Sequence, residues 1–223
     1  MMDWHFLQVG AMLPSMNQTT RPSRKANAWL RWILTALGVL IGALLAYAGC
    51  QIHNANFHTL VSGEAYRSGQ MDAAQLSRVI QKYGIKSILN LRGTTDAPAL
   101  YQGEMETANR LGVQHYDFSI SATKEITVPQ MDEIIRILRA APKPVLIHCQ
   151  AGSDRTGLIS ALYCLTLKGE TPAQADRQLS VWYGHVPQIP SANTIAMDHS
   201  YWHYVSNYLA HAELNFQRTA GSR

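Results

Sequence analysis

The chain has 223 residues, of which 47% are apolar and 15% charged, and this composition fits one globular domain with an appended membrane segment. Its net charge is +4. Residues 1–50 hold four basic residues against one acidic residue, so the rest of the chain carries only +1. Because a nucleic-acid-binding face needs clustered lysine and arginine, the charge balance argues against nucleic acid as a partner.

An uncharged apolar stretch of 18 residues, 32–49, follows a short basic segment, 1–27. As a helix it would be about 27 Å long, enough to cross a hydrocarbon core. We place a transmembrane or signal-anchor helix at 28–50. Basic residues precede this helix and the next one follows only at Arg67, so the positive-inside rule predicts a cytosolic N-terminus and export of the rest of the chain to the periplasmic or extracellular side.

Three fates are open to this helix. It can stay in the membrane as an anchor, which we favour because Trp29, Trp32 and Tyr47 stand at its ends. It can be cleaved as a signal sequence after Ala48, or it can be lipidated at Cys50. The alternative to all three is a buried core helix.

The elements after the helix alternate between strand and helix. A hairpin is predicted at 57–69, strands at 85–91 and 113–120, and a buried strand at 145–147. Capping-box patterns predict helix starts at Asp72 with Gln75, Thr127 with Gln130, and Thr171 with Gln174. Further helices are predicted at 104–111, 156–168 and about 193–214. This order indicates an α/β fold with a mostly parallel central sheet flanked by helices.

The loop between the buried strand and the helix at 156–168 contains most of the candidate functional residues. Backbone amides and the helix dipole converge there on one point, which suits an anion. Cys149 begins the loop, and beside a helix N-terminus and a guanidinium its thiol should ionise readily. Arg155 offers a planar fork that matches two phosphate oxygens. Gly152 permits a tight turn, and Thr156 can donate its hydroxyl to the cysteine sulfur.

The pattern His148-Cys149, five residues, Arg155-Thr156-Gly157 resembles the phosphate-binding loop of cysteine-dependent protein tyrosine and dual-specificity phosphatases. The segments 65–70, 85–92 and 144–157 are similar to the atypical dual-specificity phosphatases of plants, fungi and bacteria. The resemblance implies a phosphatase domain at 57–215 and a phosphocysteine intermediate, with no cofactor or metal. It also implies that a phosphorylated protein or phospholipid is the partner, and that the substrate phosphate is bound by Gln150, Ala151, Gly152, Ser153 and Thr156.

The general acid departs from the family pattern. Members carry an aspartate on the loop after the strand at 113–120, whereas this loop, 119–125, has none. Asp154 is our candidate, because its place beside Arg155 is similar to that in myotubularin-type lipid phosphatases; the alternative is a helix N-cap. Asp117, inside the strand, is the second candidate. Arg92 is a candidate second phosphate contact, weighed against a surface arginine.

The predicted function is hydrolysis of phosphotyrosine or dual-specificity protein substrates. A phosphoinositide or inositol-phosphate phosphatase is the alternative. Two further hypotheses are a rhodanese-like sulfurtransferase, since residues 149–152 resemble a rhodanese loop, and a non-catalytic phosphate-binding module.

Overall fold

The computed structural model describes residues 24–94, 97–187 and 194–220. Most of the predicted basic segment 1–27 therefore lies outside the described residues. The chain divides into two compact units, Met1–Tyr47 and Ala48–Arg223. The first described element, α1, is a helix at Arg24–His53.

Helix α1 contains a candidate membrane span at Ala28–His53 with a mean hydropathy of 2.2, none of it buried. Membrane anchors and signal sequences both contain a long apolar helix near the N-terminus. The core-helix alternative is wrong, because its apolar side chains, Leu37 and Leu45 among them, are exposed.

The second unit is built on a five-stranded sheet in the order β1-β2-β5-β3-β4. Its strands are β1 (His58–Val61), β2 (Ala65–Ser68), β3 (Ser87–Asn90), β4 (Gln114–Asp117) and β5 (Val145–His148). Only the hairpin pair β1 and β2 is antiparallel. The predicted α/β fold with a mostly parallel sheet is confirmed.

Helices cover both faces of this sheet. They are α2 (Ala73–Tyr83), α3 (Pro98–Leu111), α4 (Val128–Ala140), α5 (Asp154–Lys168), α6 (Pro172–Ala175) and α7 (Ile195–Ala220). One core lies among β5, α4, α5 and α7, and a second lies between the sheet and helices α2 and α3. Helix α5 is buried from Arg155 to Leu165, as expected for the central helix of a layered fold.

Local capping chemistry determines where several helices begin. Asp72 with Gln75 and Thr127 with Gln130 form the predicted capping boxes, each satisfying two backbone donors of the first turn. The box at Thr171 also forms, but its helix is only four residues long. A 3₁₀ turn at Asp176–Gln178 follows this helix directly.

Two predicted strands are shorter than expected. The strand predicted at 113–120 ends at Asp117, although the amides of Phe118 and Ile120 still donate to the carbonyls of Asn90 and Leu91. The chain therefore continues beside β3 but leaves the ladder. The strand predicted at 85–91 is likewise limited to Ser87–Asn90.

The strand register brings one row of residues to a single edge of the sheet. Ser68 pairs with His148, His148 with Asn90, and Asn90 with Asp117. These are the carboxyl ends of the four parallel strands, where ligands of open α/β sheets bind. The loop that begins at Cys149 leaves the sheet from the middle of this edge.

Candidate active site

Residues Cys149–Ser153 form a tight loop between β5 and α5. Gly152 has a φ of +75°, and a Cβ there would lie 2.5 Å from the amide nitrogen of Gly69 and 2.6 Å from the carbonyl carbon of Ser68. Both the left-handed backbone and the lack of space require glycine. The loop is thus pressed onto the chain that leaves β2.

Carbonyl groups of this loop are held from outside it. The acceptors and donors are His148 O with Leu91 N at 2.9 Å, Gln150 O with Gln70 N at 3.0 Å, Ala151 O with Asn56 Nδ2 at 3.0 Å, Gly152 O with Arg67 Nη2 at 2.8 Å, and Ser153 O with Gly157 N at 2.8 Å. Since these carbonyls have donors, the loop can present its amides elsewhere.

The amides of residues 150–155 have no oxygen acceptor among the described residues. Successive free amides at a helix N-terminus form an anion-binding concavity, strengthened by the helix dipole. The arrangement matches the predicted phosphate cradle.

Arg67 holds this cradle from the core. Its side chain is fully buried, with Nη1 donating to Gln178 O at 2.8 Å and its guanidinium carbon 3.9 Å from the ring centroid of Tyr183. Burial lowers the pKa of Arg67 to about 10, so it stays charged at neutral pH. The sequence analysis included Arg67 in a family-like segment but gave it no role.

The predicted nucleophile and the threonine after Arg155 are both buried. Cys149 is only 3% exposed, and Thr156 is fully buried. The hydroxyl of Thr156 donates to Ser68 O at 3.3 Å, whereas its predicted bond to the cysteine sulfur belongs to the step in which that sulfur leaves and stays a prediction. In this structure Thr156 joins the cradle to β2.

A cavity of about 400 Å³ opens beside the loop and contains both predicted phosphate-binding arginines. It is lined by Arg92, Ser119, Ile120, Ser121, Ala122, Gln150 and Arg155. Nη1 of Arg155 lies 3.4 Å from the carbonyls of Leu91 and Ile120. Arg92 is 8% exposed, so the surface-arginine alternative is wrong. The cavity therefore has two guanidinium groups available for an anion.

Behind the loop lies a buried carboxylate that the sequence analysis missed. Glu104 on α3 is 3% exposed, and its Oε1 lies 2.9 Å from Nε2 of His148 and 2.7 Å from Nε2 of His115. Its Oε2 accepts from Gln70. Burial favours a raised pKa for Glu104, but the two histidines outweigh burial and hold the pKa at about 2.

This carboxylate links β5 to Arg92. Gln70 donates to Glu104 at 2.5 Å and accepts from Nη1 of Arg92 at 3.3 Å. His148, whose Nδ1 lies 3.4 Å from Cys149 O, thus shares a network with Arg92. No local pattern marks Glu104, because 44 residues separate it from His148.

Asp154, the predicted general acid, is the first residue of α5, not its cap. The N-cap is Ser153, which makes no side-chain capping bond, so the capping alternative is wrong. Oδ1 of Asp154 lies 2.7 Å from Nδ1 of His185, and Oδ2 accepts from the Ser153 hydroxyl at 3.0 Å. Asp154 does not line the cavity that contains the two arginines.

His185, to which no role was assigned from the sequence, joins two carboxylates. Its ring is 1% exposed, and its Nε2 lies 2.9 Å from Oδ2 of Asp198 on α7. Burial favours a lowered pKa for His185, but its hydrogen bonds to the carboxylates of Asp154 and Asp198 outweigh burial and raise it. The buried imidazole of His185 therefore connects the start of α5 to α7.

Asp117, the second candidate acid, ends β4 and is engaged by two donors. Asn90 Nδ2 donates to its Oδ1 at 2.8 Å, and the Tyr101 hydroxyl donates to its Oδ2 at 2.9 Å. Like Asp154, it is absent from the residues lining the cavity. Asp117 lies two strands from His148 in the row of carboxyl ends.

Comparison with known proteins agrees with this geometry. A model of the tyrosine phosphatase family matches residues 48–173. The chain is 34% identical to the inositol diphosphatase DSP4 of Arabidopsis thaliana over 106 residues, which are 45% of this chain and 50% of that protein. It is 27% identical to the dual specificity protein phosphatase TpbA of Pseudomonas aeruginosa over 161 residues, 66% of this chain and 69% of TpbA.

Solved structures share the fold. TpbA of P. aeruginosa in complex with pTyr has a TM-score of 0.51 at 19% identity, covering 68% of this chain and 91% of TpbA. The core catalytic domain of the PP-IP phosphatase SIW14 from S. cerevisiae has a TM-score of 0.52 at 24% identity, covering 64% and 83%. The family match spans more than half of the chain and includes the whole cradle, and we conclude that this chain belongs to the tyrosine phosphatase family.

Proposed function

We propose that this enzyme hydrolyses phosphotyrosine or dual-specificity protein monoesters through a phosphocysteine intermediate on Cys149. The observation that carries the proposal is the loop whose carbonyls are bound from outside, which leaves the amides of residues 150–155 for a phosphate beside Cys149. Arg155 and Arg92 supply positive charge in the adjoining cavity.

In the first chemical step, the thiolate of Cys149 attacks phosphorus and the bond to the leaving oxygen breaks. The amides and Arg155 stabilise the negative charge on the equatorial oxygens. The leaving oxygen takes a proton from an acid. In the second step, the conjugate base of the acid takes a proton from water, the water oxygen attacks the phosphocysteine and the P–S bond breaks. The thiolate and the acid are regenerated, and inorganic phosphate is released.

We assign the proton to Asp154, with His185 as its partner. The carboxylate stands directly before Arg155, and the imidazole connects it to Asp198. A proton given up by Asp154 can therefore be replaced through His185. Asp154 must release His185 or Ser153 to reach the leaving oxygen, because both of its oxygens are engaged.

The proposed substrate is a protein monoester because the loop at 150–154 contains no basic side chain. A highly phosphorylated ligand would need more positive charge around it. TpbA, which is named as a dual specificity protein phosphatase, supports this choice.

Inositol phosphates are the second candidate, favoured by one observation. Arg92 and Arg155 share one cavity, and a second guanidinium suits a second phosphate group. The name of DSP4, an inositol diphosphatase, points in the same direction. The ratio of kcat/KM for a phosphotyrosine peptide and for an inositol diphosphate, measured with wild type and Arg92→Ala, decides between them.

One assay separates hydrolysis from the other chemistries considered for this loop. We expect the enzyme to hydrolyse an aryl phosphate, vanadate to inhibit it, and sulfur transfer from thiosulfate to cyanide to be absent. Sulfur transfer without phosphate release would support the sulfurtransferase, and tight phosphate binding without turnover would support the non-catalytic module. The match to the tyrosine phosphatase family supports hydrolysis.

For the membrane, we propose that α1 is retained, the N-terminus is cytosolic and the phosphatase domain, residues 57–215, is exported. The support is the apolar helix and the basic residues before it. A reporter that works only in the cytosol, fused after Arg223, should be silent. An active reporter would contradict the orientation, and a mature chain beginning after Ala48 would show cleavage.

A further inference from the structure

The end of α1 is attached to the catalytic edge of the sheet. The amide of Gly69, which directly follows β2, donates to Ala55 O at 2.7 Å, and Nδ2 of Asn56 donates to Ala151 O in the phosphate loop at 3.0 Å. Both contacts lie within the compact unit Ala48–Arg223. The segment that follows α1 therefore packs directly on the candidate active site.

Chain length limits how far the loop can lie from the apolar helix. From Gly49, the last residue of the uncharged stretch, to Asn56 there are about four helical steps and three extended ones, which span at most about 17 Å. If α1 stays in the membrane, the phosphate loop must lie near the bilayer surface.

A 3₁₀ turn at Val181–Tyr183 also meets the end of α1. Nε2 of Gln51 donates to Trp182 O at 3.2 Å, and Nδ2 of Asn56 donates to Tyr183 O at 2.9 Å. The turn presents two large apolar side chains to solvent, since Val181 is 62% and Trp182 70% exposed. Tryptophan beside the end of a membrane helix is typical of the bilayer interface.

Basic residues border the same helix end. A cavity of about 530 Å³, separate from the active-site cavity, contains His53 at the end of α1 together with Arg78 and Lys82 from α2. Both α2 residues are exposed. Cations beside exposed apolar side chains suit a surface of anionic lipid headgroups.

From these contacts we infer that the helix-exit face, defined by His53, Arg78, Lys82, Val181 and Trp182, rests on the bilayer that holds α1. The enzyme then acts on phosphotyrosine carried close to that membrane surface. The inference rests on the proposed function for its substrate and on retention of α1 for its partner. The occupant is the lipid surface, because chain connectivity brings that surface to the face.

The kinetic test uses the full chain in vesicles that contain anionic lipid. One phosphotyrosine peptide is offered in two forms, anchored in the same vesicles by an acyl chain or free in solution. We expect Trp182→Ala, and the double variant Arg78→Ala with Lys82→Ala, to lower kcat/KM for the anchored peptide about tenfold. Turnover of the free peptide should be unchanged. Trp202→Ala, at a half-exposed tryptophan on α7, is the matched control and should change neither.

Equal losses for the anchored and the free peptide would mean that the face binds peptide, and would overturn the inference. An equal loss in Trp202→Ala would overturn it as well. Absence of turnover with every phosphate ester would instead overturn the proposed function.

A second readout tests the lipid contact without activity. In vesicles with brominated acyl chains, we expect the fluorescence of Trp182 to be quenched and that of Trp202 to be unquenched. The contribution of each tryptophan is the difference between the fluorescence of wild type and that of Trp182→Phe or Trp202→Phe. If both contributions are unquenched, Trp182 does not touch the bilayer and the inference fails.

Discussion

Nε2 of His148 lies 2.9 Å from Oε1 of Glu104, and this buried contact connects the residue before the nucleophile to a helix 44 positions earlier in the chain. The same oxygen also contacts His115, and the other oxygen accepts from Gln70, the partner of Arg92. One carboxylate thus positions both the nucleophile strand and a candidate phosphate ligand.

We predict that Glu104→Gln lowers kcat about tenfold with little change in KM, since the amide keeps the volume but cannot accept from both histidines with a full charge. Glu106→Gln is the matched control, because Glu106 lies on the same helix and accepts only from the exposed Gln102. Steady-state kinetics with an aryl phosphate measure both. Equal activity of the two variants would contradict the positioning role.

Because of Glu104, we also expect the free energy of unfolding to fall at acid pH. Its pKa is lowered from 4.5 to about 2 in the folded state, so its contribution is present above pH 4.5 and is lost as pH falls toward 2. The difference corresponds to about 3 kcal/mol. Denaturant unfolding between these pH values should show this loss in wild type and a smaller one in Glu104→Gln.

For His185 we expect the opposite pH dependence of the free energy of unfolding. Because its pKa is raised in the folded state, its contribution is complete below the ordinary histidine pKa of about 6.5 and is lost as pH rises through the folded value. Stability measured from pH 6 upward should fall less in His185→Gln than in wild type. His199→Gln, at an exposed histidine paired with Glu125, should behave like wild type.

Gly152→Ala should destabilise the protein by about 2–4 kcal/mol and abolish turnover, since the new Cβ meets the backbone of Ser68 and Gly69. Gly169→Ala is the control. Its φ is +70°, but nothing lies within 4 Å of the added Cβ, so only the strain of about 1 kcal/mol remains. Thermal unfolding separates the two, and equal losses would show that the close packing of the cradle contributes nothing.

Cys149→Ser should abolish turnover while phosphate still binds, because the amides and Arg155 remain and the nucleophile does not. Cys164→Ala, at the other buried cysteine near the sheet, should keep its turnover. Phosphate binding is followed by calorimetry. Hydrolysis by Cys149→Ser within about tenfold of wild type would rule out the covalent mechanism.

Asp154→Asn should slow substrates with poor leaving groups by about 10² to 10³ and barely affect an activated aryl phosphate. Asparagine still accepts from His185 through its carbonyl oxygen, so the contact to the loop at 180–187 is kept. Asp117→Asn is the comparison. A leaving-group-dependent loss at Asp117 alone would move the assignment there, and insensitivity of both would point to water or substrate as the proton source.

The amino-acid sequence by itself determined the features that depend on neighbours in the chain. The capping boxes at Asp72 and Thr127 involve residues three apart, so the helix starts they predict are confirmed. The turn from β5 through Cys149 into α5 follows from a buried strand, a glycine and a helix in immediate succession. The family-like pattern lies within this same stretch.

Only the tertiary structure decided which distant residues support that loop. Asn56, Arg67, Glu104 and His185 all contact residues 148–154, yet their separations along the chain run from 31 to 95 residues. Strand order brings them together, because β2 and β3 flank β5 at one edge. Asp154 illustrates the limit: its position beside Arg155 was visible in the sequence, but its partner His185 comes from a turn that only the packing of α5 against α7 places there.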